Sequence, residues 1–179
     1  MSPSRYHPTL VVLHWLLAFL VIFSLGMGTF VLTALPNDSP DKLFALGGHM
    51  VAGLLILTLM VIRFAVRSFT QKPQPASTGN PLLDKIAVLN HYALYLLVIL
   101  MAASGIATSV QAGLPDIVFG GSGAPLPDSF AIYTPRVAHG IIAKLLLAIV
   151  ALHALAALYH QFVRKDNLLA RMWFGQRSG

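Results

Sequence analysis

Four long apolar stretches, separated by polar connections, dominate the chain. They cover about residues 9–33, 44–69, 86–110 and 137–163. Each is long enough to cross the roughly 30 Å of hydrocarbon in a bilayer as a helix. The composition agrees, because 56% of the 179 residues are hydrophobic and only 10% are charged. The pattern predicts an integral membrane protein whose residues 1–179 form a single domain.

Short connections make successive helices antiparallel neighbours, so the economical topology is an up-down-up-down four-helix bundle. The predicted fold class is therefore all-α and transmembrane, and cofactor sites in such bundles lie in the core. The connection over residues 112–135 is too rich in Gly and Pro for a fifth span. Residues 168–174 are predicted to form a short helix at the membrane interface.

Lysine and arginine mark one side of the predicted membrane protein. Only Lys42 and Arg136 flank the stretches on the other side. By the positive-inside rule, both termini are expected in the cytoplasm. The formal net charge of +6 follows from this topology and gives no reason to expect nucleic-acid binding. The cytoplasmic set comprises Arg5, Arg63, Arg67, Lys72, Lys85, Arg164, Lys165, Arg171 and Arg177.

Four of the seven histidines lie inside the apolar stretches, where a polar side chain is expensive and therefore marks a functional site. His139 and His153 are 14 residues apart in the fourth stretch. On a helix they share nearly one face and lie about 20 Å apart along the axis. The predicted topology pairs His14 with His153 toward the cytoplasm, and His49 with His139 toward the outside. Each pair comes from two helices.

The residue four positions after each of these histidines is small. A porphyrin bound to a helical histidine must lie against this neighbour, and a bulky side chain would block it. His91 and His160 do not meet this condition, because Tyr95 and Arg164 follow them at the same spacing. The four small residues are Ala18, Gly53, Ala143 and Ala157.

The sequence thus predicts two b haems with paired axial histidines. His14 and His153 would hold the inner haem, and His49 and His139 the outer one. Two imidazole ligands leave no open coordination position, so each haem would be an electron carrier. The chain has no cysteine, which excludes disulfides, cysteine-ligated iron–sulfur clusters and covalent c-type haem attachment.

Other interpretations of the histidines remain. A single membrane histidine can simply hydrogen-bond a neighbouring helix. Zinc requires three or four ligands close together, whereas these histidines form separate pairs. Metal or proton transport fits poorly because all six carboxylates lie in predicted loops. A helical transporter without haem is the least favoured alternative.

Further polar residues lie near the ends of the predicted helices. Arg63 and Arg67 are candidates for pairing with haem propionates, or are ordinary basic flanks that snorkel to the interface. His160 and His91 are candidates for hydrogen-bonding a quinone carbonyl.

Arg136 and Lys144 form a local positive spot near His139, and they would steer a small anion toward the outer haem. Lys144 could instead snorkel outward or contact a propionate.

The chain resembles the bacterial cytochrome b561 proteins, which are four-helix, dihaem cytochromes of the inner membrane. The resemblance covers nearly the whole chain and lies in several short motifs. These are Leu13-His14-Trp15, His49 with Gly53, Val61-Ile62-Arg63, His91 with Leu94-Tyr95-Leu96, His139 and His153, and His160 with Lys165-Asp166-Asn167 and Arg171-Met172.

This resemblance implies that the four paired histidines are the axial ligands. It also implies that some members oxidise superoxide at the periplasmic face and reduce ubiquinone near the position of His160. The expected activity is that of a superoxide:quinone oxidoreductase in the bacterial inner membrane. In the alternative, the chain is an electron-transfer subunit that docks a periplasmic redox protein on the Ala112–Pro135 loop.

Overall fold

The computed structural model describes residues 3–176. Arg177, one of the predicted cytoplasmic cations, lies outside the described residues. Within the described range the secondary structure is helical and contains no strand. The prediction of an all-α protein is confirmed.

Four long helices correspond to the four apolar stretches, and each is long and apolar enough to span a membrane. A short helix, α4, and two 3-10 helices lie outside them. The long helices are α1 (Pro8–Gly26), α2 (Pro40–Phe69), α3 (Pro81–Gln111) and α5 (Thr134–Tyr159); α4 is Leu114–Val118, and the 3-10 helices are Phe130–Ile132 and Leu168–Met172. α1 continues through a π-helical turn at Met27–Val31, and α5 through another at His160–Arg164.

The helices begin before the apolar stretches that predict them. Pro8, Pro40 and Pro81 are the first residues of α1, α2 and α3, and Pro135 is the second residue of α5. Proline suits the first turn of a helix because its φ is already helical and it lacks an N–H that would find no partner there. Hydrophobicity therefore locates the spans, and proline fixes where each helix starts.

The chain divides into two compact units, each containing one segment of every long helix. The first unit comprises residues 3–18, 58–96 and 148–176, and the second comprises residues 19–57 and 97–147. Leu10 and Val11 are fully buried in the first unit. In the second unit, Ala112, Leu114 and Leu126 form a buried cluster, so the long connection before α5 contributes to the core.

The 3-10 helix Leu168–Met172 lies within the segment predicted to form an interfacial helix, and it is attached to the start of the chain. The indole Nε1–H of Trp15 donates to the carbonyl of Met172 at 2.8 Å. The guanidinium of Arg5 donates to the carbonyl of Ala170 at 2.8 Å. The two bonds tie this segment to the start of the chain, and the Ala170 carbonyl also accepts from the backbone N–H of Trp173.

Candidate cofactor sites

Each unit contains one of the predicted histidine pairs. In the first unit, His14 on α1 faces His153 on α5, with ring centroids 6.1 Å apart and ring planes at 67°. In the second unit, His49 on α2 faces His139 on α5, with centroids 6.2 Å apart and planes at 75°. The structure thus brings together both of the pairs that depth along the chain predicts.

Both separations fit one metal ion held between two imidazoles. A metal–imidazole nitrogen bond is about 2.0–2.1 Å and the ring centre lies about 1.1 Å behind the nitrogen, which places two ligating rings about 6.3 Å apart. The buried Nδ1 of His49 has no hydrogen-bond partner among residues 3–176. A metal bound through Nε2 would not pair this Nδ1, so the ring separation is the feature that fits a bound metal. The residues present fit a haem with one histidine on each face.

Glycines border the histidine pair of the second unit. A Cβ atom on Gly105 of α3 would lie 3.2 Å from Cε1 of His139. A Cβ atom on Gly28 would lie 3.5 Å from Cε1 of His49. The predicted small neighbour Gly53 has no heavy atom within 4 Å of an added Cβ. A side chain would therefore crowd His139 at Gly105, make ordinary contact with His49 at Gly28 and meet no atom at Gly53.

Two polar residues of α3 contact the α5 histidines, and sequence analysis did not single them out. The Oγ of Ser104 lies 3.1 Å from Nδ1 of His139 in the second unit. The amide Nδ2 of Asn90 lies 3.4 Å from Nδ1 of His153 in the first unit. A polar side chain within an apolar helix was the available signal, since such residues in membrane spans are usually functional.

The predicted propionate partners contact tyrosines in the first unit. Arg63 donates a hydrogen bond to the Tyr95 hydroxyl, and its guanidinium carbon lies 5.4 Å from the centre of that ring. The guanidinium carbon of Arg67 lies 6.0 Å from the ring centre of Tyr6. A guanidinium has five N–H donors, so these contacts orient Arg63 and leave donors for an anionic group.

His91, predicted as a quinone candidate, lies beside His153, a predicted haem ligand. Its Nδ1–H donates to the carbonyl of Ala87 at 2.7 Å. Its ring centre is 5.3 Å from that of His153, with the planes at 84°. The structure therefore places His91 beside the His14–His153 pair, with Nδ1 already engaged by the backbone of its own helix.

His160, the other predicted quinone candidate, makes a short hydrogen bond in the π-helical turn that follows α5. Its Nδ1 lies 2.6 Å from Oδ2 of Asp166, and Nε of Arg164 lies 3.5 Å from the same oxygen. Lys165 and Asn167 adopt left-handed backbone conformations, with φ of 57° and 55°. These two left-handed residues flank Asp166 just after the helix, where its carboxylate contacts His160.

The Asp166 carboxylate stays ionised in this setting. Desolvation raises the pKa of Asp166, but the hydrogen bond and charge of His160, the backbone N–H of Leu168 and the charge of Arg164 outweigh it. The net result is a pKa below the usual value for an aspartate. A carboxylate that fixes Nδ1–H of His160 leaves Nε2 for a further partner.

The basic residues of the second unit have different surroundings. The ammonium of Lys42 is buried and donates to the carbonyls of Leu32 and, at 3.0 Å, Leu35. Lys144 is exposed and makes no hydrogen bond or ion pair within the described chain. Five residues separate it from His139, a rotation of about 140° around the helix axis. Lys42 thus serves the backbone at the end of the first span.

Arg136 lines an open cavity of about 250 Å³, together with Phe130, Ala131, Val137 and Gly140. One guanidinium nitrogen of Arg136 lies 3.2 Å from the position a Cβ on Gly140 would take. Glycine at that position lets the guanidinium fold over the helix. Arg136, one of the two residues predicted to steer an anion, thus lines a cavity.

The described residues contain no group of three or more His, Asp or Glu side chains that could hold a metal ion directly. Zinc sites need three or four protein ligands in one place, and each histidine pair supplies two. The paired arrangement therefore suits a cofactor that provides the remaining ligands itself.

Comparisons with known proteins identify a family. Residues 5–175 match the family described as prokaryotic cytochrome b561. "Cytochrome b561 homolog 2" of Escherichia coli is 30% identical over 179 residues, covering 96% of this chain and 92% of that protein. "Probable superoxide oxidase CybB" of Yersinia pestis is 29% identical, covering 94% and 96%. "Cytochrome b562" of Cereibacter sphaeroides is 30% identical, covering 90% of each chain.

The family match spans nearly all of the described chain, including both histidine pairs and all four long helices. With it come b-type haem binding, oxidoreductase activity and electron transfer across a bacterial membrane. The chain belongs to the prokaryotic cytochrome b561 family.

Proposed function

We propose that this protein takes electrons from superoxide at the periplasmic face of the inner membrane and delivers them to ubiquinone near the cytoplasmic face. The supporting observation is the presence of two separate histidine pairs, each with the ring separation that a bis-imidazole iron requires. Two superoxide anions give up one electron each and leave as O2. Ubiquinone takes both electrons and two protons to become ubiquinol.

The four paired histidines are proposed as the axial ligands of two b haems. His14 and His153 hold the haem on the cytoplasmic side, and His49 and His139 hold the one on the periplasmic side. Bound haem supplies reversible one-electron transfer without an open site for O2. Arg63 and Arg67 are proposed to pair with propionates, because the contacts of Arg63 with Tyr95 orient its guanidinium.

Arg136 is proposed to attract superoxide to the periplasmic side. It lines an open cavity three residues before His139 and has no carboxylate partner within the described residues. A single anion meeting an unpaired guanidinium gains from electrostatic steering. Lys144 adds a further positive charge on the same helix. The Yersinia pestis relative named a probable superoxide oxidase supports this choice of donor.

His160 is proposed to act as an imidazolium, whose Nε2–H donates a hydrogen bond to a quinone carbonyl and then transfers its proton to the reduced quinone. Asp166 accepts from Nδ1–H of His160, so Nε2 is the atom available to the quinone. His91, with Nδ1 bound to the Ala87 carbonyl, is the weaker candidate for this role.

Rapid mixing of purified, oxidised protein with superoxide tests the donor. We expect fast haem reduction that slows as ionic strength rises, because added salt screens the attraction. Arg136→Gln should slow reduction by about 3- to 10-fold at low salt, since steering raises on-rates by at least tenfold. Lys72→Gln is the matched control, because it removes the same charge from an exposed position in the first unit. Slow reduction that ignores both salt and Arg136→Gln would reject superoxide as the donor.

A second candidate is an electron-transfer subunit that receives electrons from a periplasmic redox protein. The connection over residues 112–135 supports it, because Phe119 and Ile132 expose 59% and 73% of their surface there. The rapid-mixing experiment separates the two: such a subunit would reduce slowly with superoxide and quickly with its protein donor. A pyridine haemochrome assay tests both, since fewer than two b haems per chain would contradict either.

A further inference from the structure

Helix α3 presents one polar side chain to each histidine of α5. Asn90 contacts Nδ1 of His153 in the first unit at 3.4 Å. Ser104 contacts Nδ1 of His139 in the second unit at 3.1 Å. Asn90 and Ser104 are 14 residues apart, and so are His139 and His153. The same contact therefore recurs with the same spacing on both helices.

The Ser104 hydroxyl is placed to accept from His139 when its own hydrogen points to the Met101 carbonyl. Its hydrogen is donated to the carbonyl of Met101 at 3.0 Å, so a lone pair of Oγ faces Nδ1 of the ring. His139 must then carry its proton on Nδ1. In a neutral imidazole this leaves Nε2 unprotonated, which is the form that binds a metal.

The side-chain amide of Asn90 also contains a possible acceptor for its histidine, the oxygen Oδ1. Its Nδ2 faces Nδ1 of His153, while its Oδ1 is buried and has no hydrogen-bond partner among residues 3–176. A half-turn of the amide exchanges these two atoms at almost no change in shape. Oδ1 then accepts from Nδ1–H of His153, and Nε2 of that histidine becomes available to a metal.

We infer that Asn90 and Ser104 are positioning residues for the two haems. Each fixes the tautomer and ring orientation of the α5 histidine and strengthens that histidine as an iron ligand. Ligating histidines usually donate their second N–H in this way, and the acceptor raises the basicity of the ligand. This inference rests on the proposed ligation of haem by His139 and His153.

In the second pair, the hydrogen bond from α3 predicts which histidine is the stronger iron ligand. On the opposite face of the second pair, Nδ1 of His49 has no partner within the described residues. The oriented, more basic ligand is therefore His139 there. A more basic ligand stabilises ferric iron over ferrous iron, so the hydrogen bond lowers the midpoint potential.

Redox titration of the purified holoprotein, with one midpoint potential fitted to each haem, tests the inference. Asn90→Leu removes the acceptor and should raise one potential. Asn90→Asp supplies a charged, stronger acceptor and should lower the same potential below that of the wild type. Ser104→Ala should raise the other potential, and Ser104→Thr should restore it. Ser109→Ala is the matched control, because Ser109 is buried on α3 and makes no hydrogen bond to either histidine within the described residues.

The opposite signs at position 90 distinguish hydrogen bonding from packing, since a merely structural residue would not respond in both directions. Potentials that move in the same direction for Asn90→Leu and Asn90→Asp, or that do not move, would overturn the inference. If Asn90→Leu loses haem, Asn90→Asp still decides the sign. Haem content measured in parallel separates this outcome from failure of the proposed function, because wild-type protein without two b haems would refute the ligation itself.

Discussion

The two histidine pairs have nearly the same geometry but different surroundings. Their ring centres are 6.1 and 6.2 Å apart. The first pair has a third histidine, His91, 5.3 Å from one ring, and a unit that also contains the Arg63–Tyr95 contact. The second pair is bordered by the glycine backbone at Gly28 and Gly105. One geometry is therefore built in two ways.

The difference indicates which kind of change each site tolerates. Side chains around the first pair bring charge and hydrogen bonds, so substitutions there should alter redox properties more than packing. Glycine backbone around the second pair brings close contact, so added volume there should displace a ring. Both pairs share one feature, a polar side chain of α3 that contacts Nδ1 of the α5 histidine.

The largest expected effect comes from removing one ligand of each pair. We expect His153→Leu to abolish only the haem of the first unit and His139→Leu only that of the second, because an iron with one imidazole is held poorly. A pyridine haemochrome assay with a reduced-minus-oxidised spectrum should show about half of the wild-type haem in each variant, and quinone reduction by superoxide should stop.

His91→Leu is the matched control for His153→Leu, since it removes an imidazole from the same neighbourhood. We expect it to retain both haems. Loss of haem in this variant, with retention in His14→Leu, would mean that His91 and not His14 is the partner of His153.

The second-largest expected effect comes from adding a methyl group beside the second histidine pair. In Gly105→Ala the new Cβ would lie 3.2 Å from Cε1 of His139, so the ring must shift by a few tenths of an ångström. Overpacking of this kind costs about 1–3 kcal/mol. We expect a lower melting temperature and a changed low-spin EPR signal for one haem only.

Gly48→Ala provides the reference for that change, because an added Cβ there meets no atom within 4 Å. It should leave both haem signals unchanged and, as a helix-favouring substitution, cost nothing in stability. Equal responses of the two variants would show that the close approach at Gly105 has no bearing on the second site.

Hydropathy and histidine depth predicted most of the fold and both pairs. Four spans follow from apolar length alone, and the pairing of His14 with His153 follows from their depth in antiparallel helices. Small residues after each histidine pointed to space beside the rings, and an added Cβ at Gly53 indeed meets nothing.

The missing parts depend on contacts between residues distant in sequence. Asn90 and Ser104 look like isolated polar residues until α5 places a histidine beside each. Asp166 appears to be an ordinary loop acid until Lys165 and Asn167 adopt left-handed conformations and return its carboxylate to His160. Lys42 counts as a surface charge in the sequence, yet its ammonium binds backbone carbonyls. Composition does not encode such pairings.

The smallest expected effect concerns the His160–Asp166 pair, which belongs to the first unit and has no counterpart among the contacts of the second pair. Asp166→Asn keeps an acceptor for Nδ1–H but removes its charge. Hydrogen bonds to charged groups contribute about 1.5–3 kcal/mol and neutral ones about 0.5–1.5 kcal/mol, so the expected loss is about 1 kcal/mol. We expect ubiquinone reduction to fall by about 2- to 10-fold, while haem reduction by superoxide is unchanged. Asp128→Asn, an exposed acid of the second unit, should change neither rate.

The pH dependence of this variant sharpens the same point. Desolvation raises the pKa of Asp166, but His160, the Leu168 N–H and Arg164 hold it below its usual value. A carboxylate with a depressed pKa contributes above its unfolded value of about 3.9 and loses that contribution only as pH falls through the lower, folded value. The Asp166 carboxylate therefore keeps its charge from pH 8 to pH 5, and the ratio of wild-type to Asp166→Asn quinone reduction should stay above one throughout this range. A ratio that fell to one within this range would mean that the pair is protonated there and that the carboxylate does not position His160.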